Sequence, residues 1–162
     1  MDGNGRWAKA RGLDRTEGHR QGAETVKTIV KAAAKAGVKY LTLYAFSTEN
    51  WKRPKEEVDA IMDLLVFMLE RETEELNRNG VRLMTIGDIS RLSEKAQESL
   101  RKSIEFTSKN EVLTLVIALN YGARNEILRA TSNIAKDVAN NNISPDQIDE
   151  KLFDSYLYTA EM

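Results

Sequence analysis

Three short apolar segments, each preceded by a helical pattern and followed by a polar loop, constrain what this chain can fold into. The segments cover residues 39–46, 81–86 and 112–119, and most positions in them are aliphatic or aromatic. Nearly continuous apolar runs are typical of strands buried on both faces of a parallel sheet. Because helical segments alternate with these strands, the sequence predicts an α/β fold: a largely parallel central sheet flanked by helices, in a single domain over residues 1–162.

The intervening segments carry apolar residues at helical spacing and end at glycines or polar turns. Helices are expected over about 22–36, 54–79, 93–107 and 126–139, and a last one runs from a capping box at Ser144 to about residue 158. The helix over 54–79 has two apolar stripes, one of which needs a partner other than the sheet. The first stripe consists of Val58, Ile61, Met62, Leu65, Leu69 and Leu76, and the second of Leu64, Phe67 and Met68.

Composition narrows the chemistry that the chain can perform. The sequence has no cysteine and one histidine, His19, which excludes disulfides, thiolate catalysis, zinc–sulfur sites and a paired-histidine site. The net charge is −1, so the surface as a whole is not built to bind nucleic acid. Residues 1–20 carry five basic against three acidic side chains, which suits a small anionic ligand. No apolar run follows Met1 or approaches the roughly 20 residues of a membrane span.

The opening residues combine a carboxylate, two glycines, an amide, a guanidinium and a large aromatic ring. Glycines let the backbone approach a ligand closely, and a helix starting at about Asn4 would point free N–H groups at an anion such as a phosphate. Asp2 would repel a bare phosphate, so a divalent cation between them is expected; Mg²⁺ commonly bridges one carboxylate and substrate phosphates. The alternative is a turn followed by a helix, with Asp2 as its cap.

Two further groups of polar residues are placed to join this site. Arg15 and His19 flank the start of the helix that ends near residue 36, and residues 47–54 directly follow the first strand. Ligands of open α/β sheets gather outside the carboxyl ends of the strands. Three alternatives stay open: a solvated Arg15, a structural hydrogen bond from His19 at a helix start, and a polar turn that introduces a helix beginning at Pro54.

Taken together, these loops resemble those of the cis-prenyltransferases, and most closely those of the bacterial undecaprenyl diphosphate synthases. The matching motifs are MDGNGRW at 1–7, GHRQG at 18–22, LYAFSTENWKRP at 43–54, VR at 81–82, IGD at 86–88 and NYG at 120–122. Several long motifs in the right order span nearly the whole chain. The Asp-Asp-x-x-Asp motif of the unrelated trans-prenyltransferases does not occur.

The resemblance implies a reaction and its setting. An allylic diphosphate, typically farnesyl diphosphate, is extended by successive isopentenyl diphosphate units with cis double bonds, and pyrophosphate leaves. The product, undecaprenyl diphosphate, serves as the lipid carrier for cell-wall (peptidoglycan) sugars. The resemblance further implies a Mg²⁺-dependent enzyme, a homodimer, a cytoplasmic location with peripheral membrane contact as the lipid lengthens, and no nucleic-acid partner. A non-catalytic partner subunit, a truncated fragment that binds prenyl diphosphate without turnover, and a generic phosphate-binding α/β module remain as alternatives.

The resemblance also implies roles for individual residues. Asp2 matches the family's essential aspartate, which handles Mg²⁺ and diphosphate, and Asn50 matches its candidate for positioning the isopentenyl group. The residues matched to substrate binding are Gly3, Asn4, Gly5, Arg6, Trp7, Arg15, His19, Ser47, Trp51 and Arg53. The residues matched to the lining of a hydrophobic tunnel are Ala45, Ile61 and Leu65, so one stripe of the two-striped helix would pack and the other would touch lipid.

The family has two segments for which this sequence shows no counterpart. One is a buried strand before the position of Met1, and the other is an Arg-Thr-x-Gly-Glu…Arg-x-Ser-x-Phe segment beyond the position of Met162. The resemblance assigns to the second segment arginines for isopentenyl diphosphate, a Mg²⁺-binding glutamate and much of the dimer contact. The expectation is therefore that one of the two substrate sites is incomplete in residues 1–162.

Overall fold

A three-stranded parallel sheet forms the centre of the chain in the computed structural model, which describes residues 3–160 and 162. The strands are β1 (Tyr40–Ser47), β2 (Val81–Ile86) and β3 (Leu113–Tyr121), in the spatial order β1-β3-β2. Tyr40 lies opposite Thr114 in the β1–β3 pair. The predicted parallel sheet is confirmed, and the most apolar strand, β3, is its central one.

Six helices surround this sheet in the described residues. They are α1 (Asn4–Lys9), α2 (Arg15–Lys35), α3 (Lys55–Arg78), α4 (Glu94–Thr107), α5 (Ala123–Ala139) and α6 (Glu150–Ser155). Single 3₁₀ turns occur at Thr48–Lys52, Ile89–Arg91 and Pro145–Gln147. No helix within residues 3–160 or at 162 is long and apolar enough to cross a lipid bilayer.

The main hydrophobic core lies between one face of the sheet and helices α2, α3 and α4. The largest fully buried side chains in it are Phe46, Leu83, Leu100, Leu113 and Leu119. The opposite face has a smaller buried cluster of Ile86, Val116 and Ala118, against which Met84, Tyr121 and Tyr158 pack. The core therefore places α2 and α3 side by side over the sheet.

Helices α2 and α3 run parallel to each other, with their amino-terminal ends at the carboxyl edge of the sheet. Polar contacts between them advance along both helices together: His19 meets Glu57 near their starts, and Lys27 pairs with Glu72 at 2.7 Å further along. Each helix is followed by a short turn and a strand, so it ends where that strand begins. Two positive helix-dipole ends consequently point toward the same edge.

Helix α2 begins at Arg15, about seven residues earlier than the predicted start near residue 22. Arg15, which was predicted to flank the start of this helix, is its first residue, and Gly18 and Gly22 lie inside the helix. A Cβ on Gly18 would stand 2.0 Å from the Asn4 carbonyl oxygen, and one on Gly22 would stand 2.2 Å from Asn4 Nδ2. The glycines therefore do not introduce the helix; they let α1 approach it closely.

Two other boundaries differ from the sequence prediction. Strand β3 continues through Tyr121, where a loop was expected, and α5 begins at Ala123 rather than Glu126. The capping box of Ser144 and Gln147 is confirmed, but it closes a single 3₁₀ turn. The final helix is separate and short because Asp149 caps a new start, its carboxylate accepting a hydrogen bond from the Leu152 amide at 2.8 Å.

Candidate functional site

A single carboxylate oxygen gathers three of the predicted site residues. Glu57, in the first turn of α3, accepts through Oε1 a hydrogen bond from Arg53 Nη1 at 2.8 Å and one from Arg15 Nε at 3.2 Å. His19 Nε2 lies 3.3 Å from the same oxygen. Arg15 and His19 come from the first turns of α2, and Arg53 precedes α3, so the cluster joins the amino-terminal ends of both helices.

The environment of Glu57 favours its charged form. Its side chain is 12% exposed, and this burial alone would raise the pKa of the carboxyl. The His19 hydrogen bond and the charges of Arg15 and Arg53 more than offset the burial, so the pKa of Glu57 lies below its ordinary value. Two guanidinium groups against one carboxylate leave a net positive charge beside two helix starts, which favours an anion there.

Helix α1 is held against this cluster by close backbone packing. Gly3 has a φ of 88°, a left-handed conformation that glycine adopts readily, and the Trp7 amide donates to its carbonyl at 2.8 Å. A Cβ on Gly5 would stand 3.2 Å from the Arg15 guanidinium, so that guanidinium lies directly over the α1 backbone. The predicted cradle residues Asn4 and Gly5 are thus brought to the start of α2.

The turn after β1 is organised by its own polar side chains. The Ser47 amide donates to Asn50 Oδ1 at 3.0 Å, and the two residues form a reciprocal capping box around the 3₁₀ turn Thr48–Lys52. A Cβ on Gly122 would stand 2.7 Å from Thr48 Oγ1, so the end of β3 closely approaches this turn. The predicted residues Ser47 and Asn50 therefore lie together at the carboxyl edge of the sheet.

The indole ring of Trp51 is held by contacts to its edge and to its face. Its Nε1 donates to Asn120 Oδ1 at 2.7 Å, and the Asn120 amide nitrogen donates to the Asp88 carbonyl oxygen, also at 2.7 Å. Phe46 meets the indole edge-on with ring centroids 5.0 Å apart, and the Arg91 guanidinium lies 4.7 Å from the indole centroid. Three segments of the chain thus hold one aromatic ring at the site.

An apolar cavity of about 400 Å³ lies between α2 and α3, above the sheet. Its volume and apolar lining are typical of small-molecule sites. The apolar lining residues are Val26, Val30, Ala34, Leu65, Met68, Leu69, Leu76, Val81, Leu83, Leu115 and Ile117. Lys27, Lys31, Glu72 and Glu75 line it as well and pair across the two helices, at 2.7 Å for Lys27 with Glu72 and 2.6 Å for Lys31 with Glu75.

The three predicted tunnel residues occupy different positions relative to this cavity. Leu65 lines it. Ile61, one turn earlier on α3, is half-buried and packs against the main core. Ala45 is exposed on β1, which has one neighbour in the described sheet. Of the two stripes predicted on this helix, the first supplies three of the four apolar residues that line the cavity from α3, and Met68 of the second supplies the other. Phe67 of the second stripe is 51% exposed.

The predicted metal ligand Asp2 lies outside the residues that the structure describes. Within residues 3–160 and 162, no group of three or more acidic or histidine side chains is arranged to hold a metal ion. The described side chains at the site are mainly cationic or amide-bearing, so they suit a phosphate better than a bare cation. Trp7 is 37% exposed, and its ring centroid lies 4.3 Å from the Arg11 guanidinium.

Sequence reasoning missed Glu57 and the residues that hold Trp51. Glu57 was not among the predicted site residues, although its spacing of four from Arg53 permits an ion pair. Asn120 and Asp88 lay inside recognised motifs without a role. The contact between Asn120 and Trp51 spans 69 residues of sequence, and that between Asn120 and Asp88 spans 32, so no local pattern signals either one.

The geometry defines a parallel α/β domain with a cationic cluster at one end of two helices and an apolar cavity further along them. A family model described as putative undecaprenyl diphosphate synthase matches residues 1–162, and the chain belongs to this prenyltransferase family. The chain is 56% identical over all 162 residues to an isoprenyl transferase of Clostridium perfringens. It is 48% identical over the same length to the farnesyl-diphosphate-specific ditrans,polycis-undecaprenyl-diphosphate synthase of Escherichia coli K12. It spans 64% of the length of each.

Two solved structures share the fold. A lavandulyl diphosphate synthase from Lavandula x intermedia, crystallised with dimethylallyl diphosphate, superposes with a TM-score of 0.95 and 34% identity. That match covers all of this chain and 70% of the lavender protein. A probable undecaprenyl diphosphate synthase from Campylobacter jejuni gives a TM-score of 0.73 and 37% identity, over 85% of this chain and 64% of its own.

Proposed function

We propose that this chain supplies the allylic-diphosphate site of a cis-prenyl chain-elongating transferase. The reaction would condense isopentenyl diphosphate onto farnesyl diphosphate, with cis double bonds, to give undecaprenyl diphosphate for cell-wall lipid carriers. The proposal includes a homodimer in the cytoplasm that touches the membrane peripherally through its lipid product. Support comes from family membership and from the activities for which its relatives are named.

The observation that carries the proposal is the order of polar and apolar groups along α2 and α3. The cationic cluster lies at the starts of both helices, and the cavity-lining residues follow from Val26 on α2 and from Leu65 on α3. These residues are seven and eight positions beyond His19 and Glu57, which is about 10–12 Å along a helix. A ligand with an anionic head and a long apolar tail fits this order.

The residues at the start of the two helices would act on the diphosphate. Departure of pyrophosphate builds negative charge on the leaving group, and Arg15, Arg53 and the helix-end amides are positioned to stabilise that charge as it develops. Gly3, Asn4, Gly5 and Arg6 would form the rest of the cradle, with Trp7 at its side. The apolar cavity would keep water from the reacting allylic carbon.

The turn after β1 would serve the second substrate. Asn50 is proposed as a catalytic residue that positions the isopentenyl group, with Ser47, Trp51 and Arg53 beside it and His19 near the condensation centre. Leu65 and Ile61 are proposed to contact the growing chain, together with Ala45 at its far side. The hydrogen bonds that order Ser47, Asn50 and Trp51 support a preorganised site of this kind.

Mg²⁺ is proposed as the metal, held by Asp2 and diphosphate oxygens. When bound, the ion would neutralise charge on the departing diphosphate. The described residues offer no competing carboxylate cluster, and Glu57 is already paired with cations. Chelation of Mg²⁺ should therefore remove activity, and readdition should restore it.

The decisive test is incorporation of radiolabelled isopentenyl diphosphate with farnesyl diphosphate and Mg²⁺. The assay is run with the 162-residue chain and with the protein at its full natural length. Asp2→Ala should lower turnover about 100-fold or more, because it removes charge stabilisation specific to the transition state. Asp14→Ala is the matched control, since the Asp14 side chain caps no helix amide. Near-normal turnover in Asp2→Ala would remove Asp2 from the mechanism.

A binding comparison separates this proposal from a generic phosphate module. Farnesyl diphosphate should bind more tightly than inorganic diphosphate, since its tail would leave water for the apolar cavity. Equal affinities, measured by calorimetry on the same protein, would favour the generic module. Binding of farnesyl diphosphate without any turnover at full length would favour a non-catalytic partner subunit.

A further inference from the structure

Asn120 has an unusual position and backbone for a polar residue. It lies at the end of the central strand and is 5% exposed, and its φ is 46°, in the left-handed region. Among the described residues only Asn141 shares a positive φ without being glycine, and that residue is exposed in the loop after α5. Asparagine tolerates this conformation better than other side chains, yet a buried example needs compensation from its surroundings.

The two partners of the Asn120 amide determine its orientation. The indole Nε1 of Trp51 can only donate, and the Asp88 carbonyl oxygen can only accept. The oxygen of Asn120 must therefore face Trp51, and its nitrogen must face Asp88, as the two 2.7 Å contacts show. The amide works as a two-ended link between the turn after β1 and the turn after β2.

The turn after β2 is built to reach this link. Gly87 has a φ of 107°, and a Cβ there would stand 2.1 Å from the Leu119 carbonyl oxygen, so only glycine lets the two strand ends come this close. The Asp88 carboxylate accepts from the Ser90 amide at 3.0 Å, which closes the 3₁₀ turn Ile89–Arg91. That turn carries Arg91 over the face of Trp51.

We infer that Asn120 is a positioning residue that acts through Trp51, with Arg91 covering the face of the same ring. This inference rests on the proposed function, in which the turn after β1 binds substrate. Trp51 lies directly between Asn50 and the Arg53 segment, so fixing its indole fixes the direction in which this turn crosses the edge of the sheet. Without the link, the side chains of Asn50 and Arg53 would still be present, but they would no longer be held in position at the site.

The first test is a double-mutant cycle on the full-length protein. Asn120→Gly removes the amide while tolerating the positive φ, and Trp51→Phe removes the donor. Loss of one positioning hydrogen bond should lower kcat about 3- to 10-fold in Asn120→Gly. In the Trp51→Phe background, Asn120→Gly should lower kcat less than about twofold. The indole donor is already absent there, and the effects of two substitutions in one interacting pair do not add. Asn141→Gly, also at a positive φ but remote from the site, should leave kcat unchanged.

The second test reads Trp51 directly and needs no catalysis. Because the chain has two tryptophans, Trp7→Phe leaves Trp51 as the sole indole reporter, and all fluorescence comparisons are made within that background. Asn120→Gly should increase acrylamide quenching of Trp51 about twofold or more, since it removes one hydrogen bond that holds the ring. Asn120→Asp keeps an acceptor for the indole but turns a carboxylate oxygen toward the Asp88 carbonyl oxygen, so it breaks the other end of the link and should raise quenching of Trp51 as well.

The outcomes separate the two proposals. Two results would overturn the positioning role. One is that Asn120→Gly lowers kcat by the same factor in the parent and in the Trp51→Phe background. The other is that Asn120→Gly leaves the quenching of Trp51 unchanged. If Asn120→Gly does not fold, quenching in Asn120→Asp decides: a twofold rise that is absent in Asn141→Asp supports the link, and a value near the parent in Asn120→Asp overturns it. A parent protein without prenyltransferase activity would refute the proposed function, while the quenching comparison would still decide whether Asn120 holds Trp51.

Discussion

Arg53 and Glu57 form an ion pair of 2.8 Å that crosses the boundary between a turn and a helix. Arg53 has extended backbone dihedrals, with φ −73° and ψ 161°, whereas Glu57 is in the first turn of α3. The spacing of four residues is common within helices, but here one partner lies outside the helix. The pair therefore ties the turn after β1 to the start of α3, and Arg15 and His19 tie the start of α2 to the same oxygen.

Removing the charge of Glu57 should destabilise the fold. Glu57→Gln leaves two guanidinium groups facing each other without a carboxylate, and charge-assisted hydrogen bonds are stronger than neutral ones. A loss of about 1–2 kcal/mol in the free energy of unfolding is expected from urea titration at neutral pH. The exposed neighbour Glu56 provides the control, and a Glu56→Gln loss of equal size would show that the effect is not specific to the cluster.

The contribution of Glu57 should depend on pH in a defined direction. Its folded-state pKa is depressed, so its stabilising effect is present above the ordinary glutamate value of about 4.3 and is lost as the pH falls through the folded-state pKa. The difference in unfolding free energy between the parent and Glu57→Gln should be larger at about pH 5 than below about pH 4. A difference that is unchanged at low pH would contradict the charged state of Glu57.

A bulky side chain at Leu65 should shorten the product lipid if the cavity holds the growing chain. Leu65→Trp adds volume directly into a cavity of about 400 Å³. Product length is measured by thin-layer chromatography of the dephosphorylated, radiolabelled lipids. Leu64→Trp is the matched control, because Leu64 does not line the cavity among the described residues. Products of normal length from Leu65→Trp would exclude Leu65 from the tunnel.

A methyl group on Gly18 should loosen the contact between α1 and α2. Alanine is the better helix former by about 1 kcal/mol, so propensity alone predicts stabilisation by Gly18→Ala. The added Cβ would stand 2.0 Å from the Asn4 carbonyl, and overpacking of this kind costs about 1–3 kcal/mol. Thermal unfolding should therefore show a lower Tm for Gly18→Ala, whereas Gln21→Ala at an exposed position of the same helix should not lower it. A raised Tm for Gly18→Ala would contradict the close packing.

The alternation of strands and helices could be predicted from sequence because hydrophobic periodicity is a local property. The three strands were found within one or two residues of their bounds, and the two glycines that end α2 and α3 were identified as stops. The start of α2 could not be predicted, since Gly18 and Gly22 usually interrupt a helix and only the approach of Asn4 explains them. Local propensity was overridden there by a tertiary contact.

The same distinction between local patterns and tertiary contacts applies to the candidate site. Arg15, His19 and Arg53 were identified as site residues, and the structure brings all three to Glu57. Glu57 itself was missed because its role at the site depends on contacts with His19 and Arg15, which are 38 and 42 residues away in the sequence. Trp51 was identified, but its partner Asn120 gave no local signal. Ala45 was assigned to the tunnel by resemblance alone. It is exposed on β1, and no feature of the neighbouring sequence predicts that exposure.

The pairing of β1 with β3 has a consequence for the order of events during folding. Trp51 and Asn120 are separated by 69 residues, and the contact between them requires both strands and the helices between them to be in place. Contacts of such long sequence separation form slowly, because the chain must close a large loop before they contribute any stability. From this separation we expect the helices to nucleate early and the edge at which substrate would bind to assemble late, so that a nascent or partly folded chain would have no competent site to occupy.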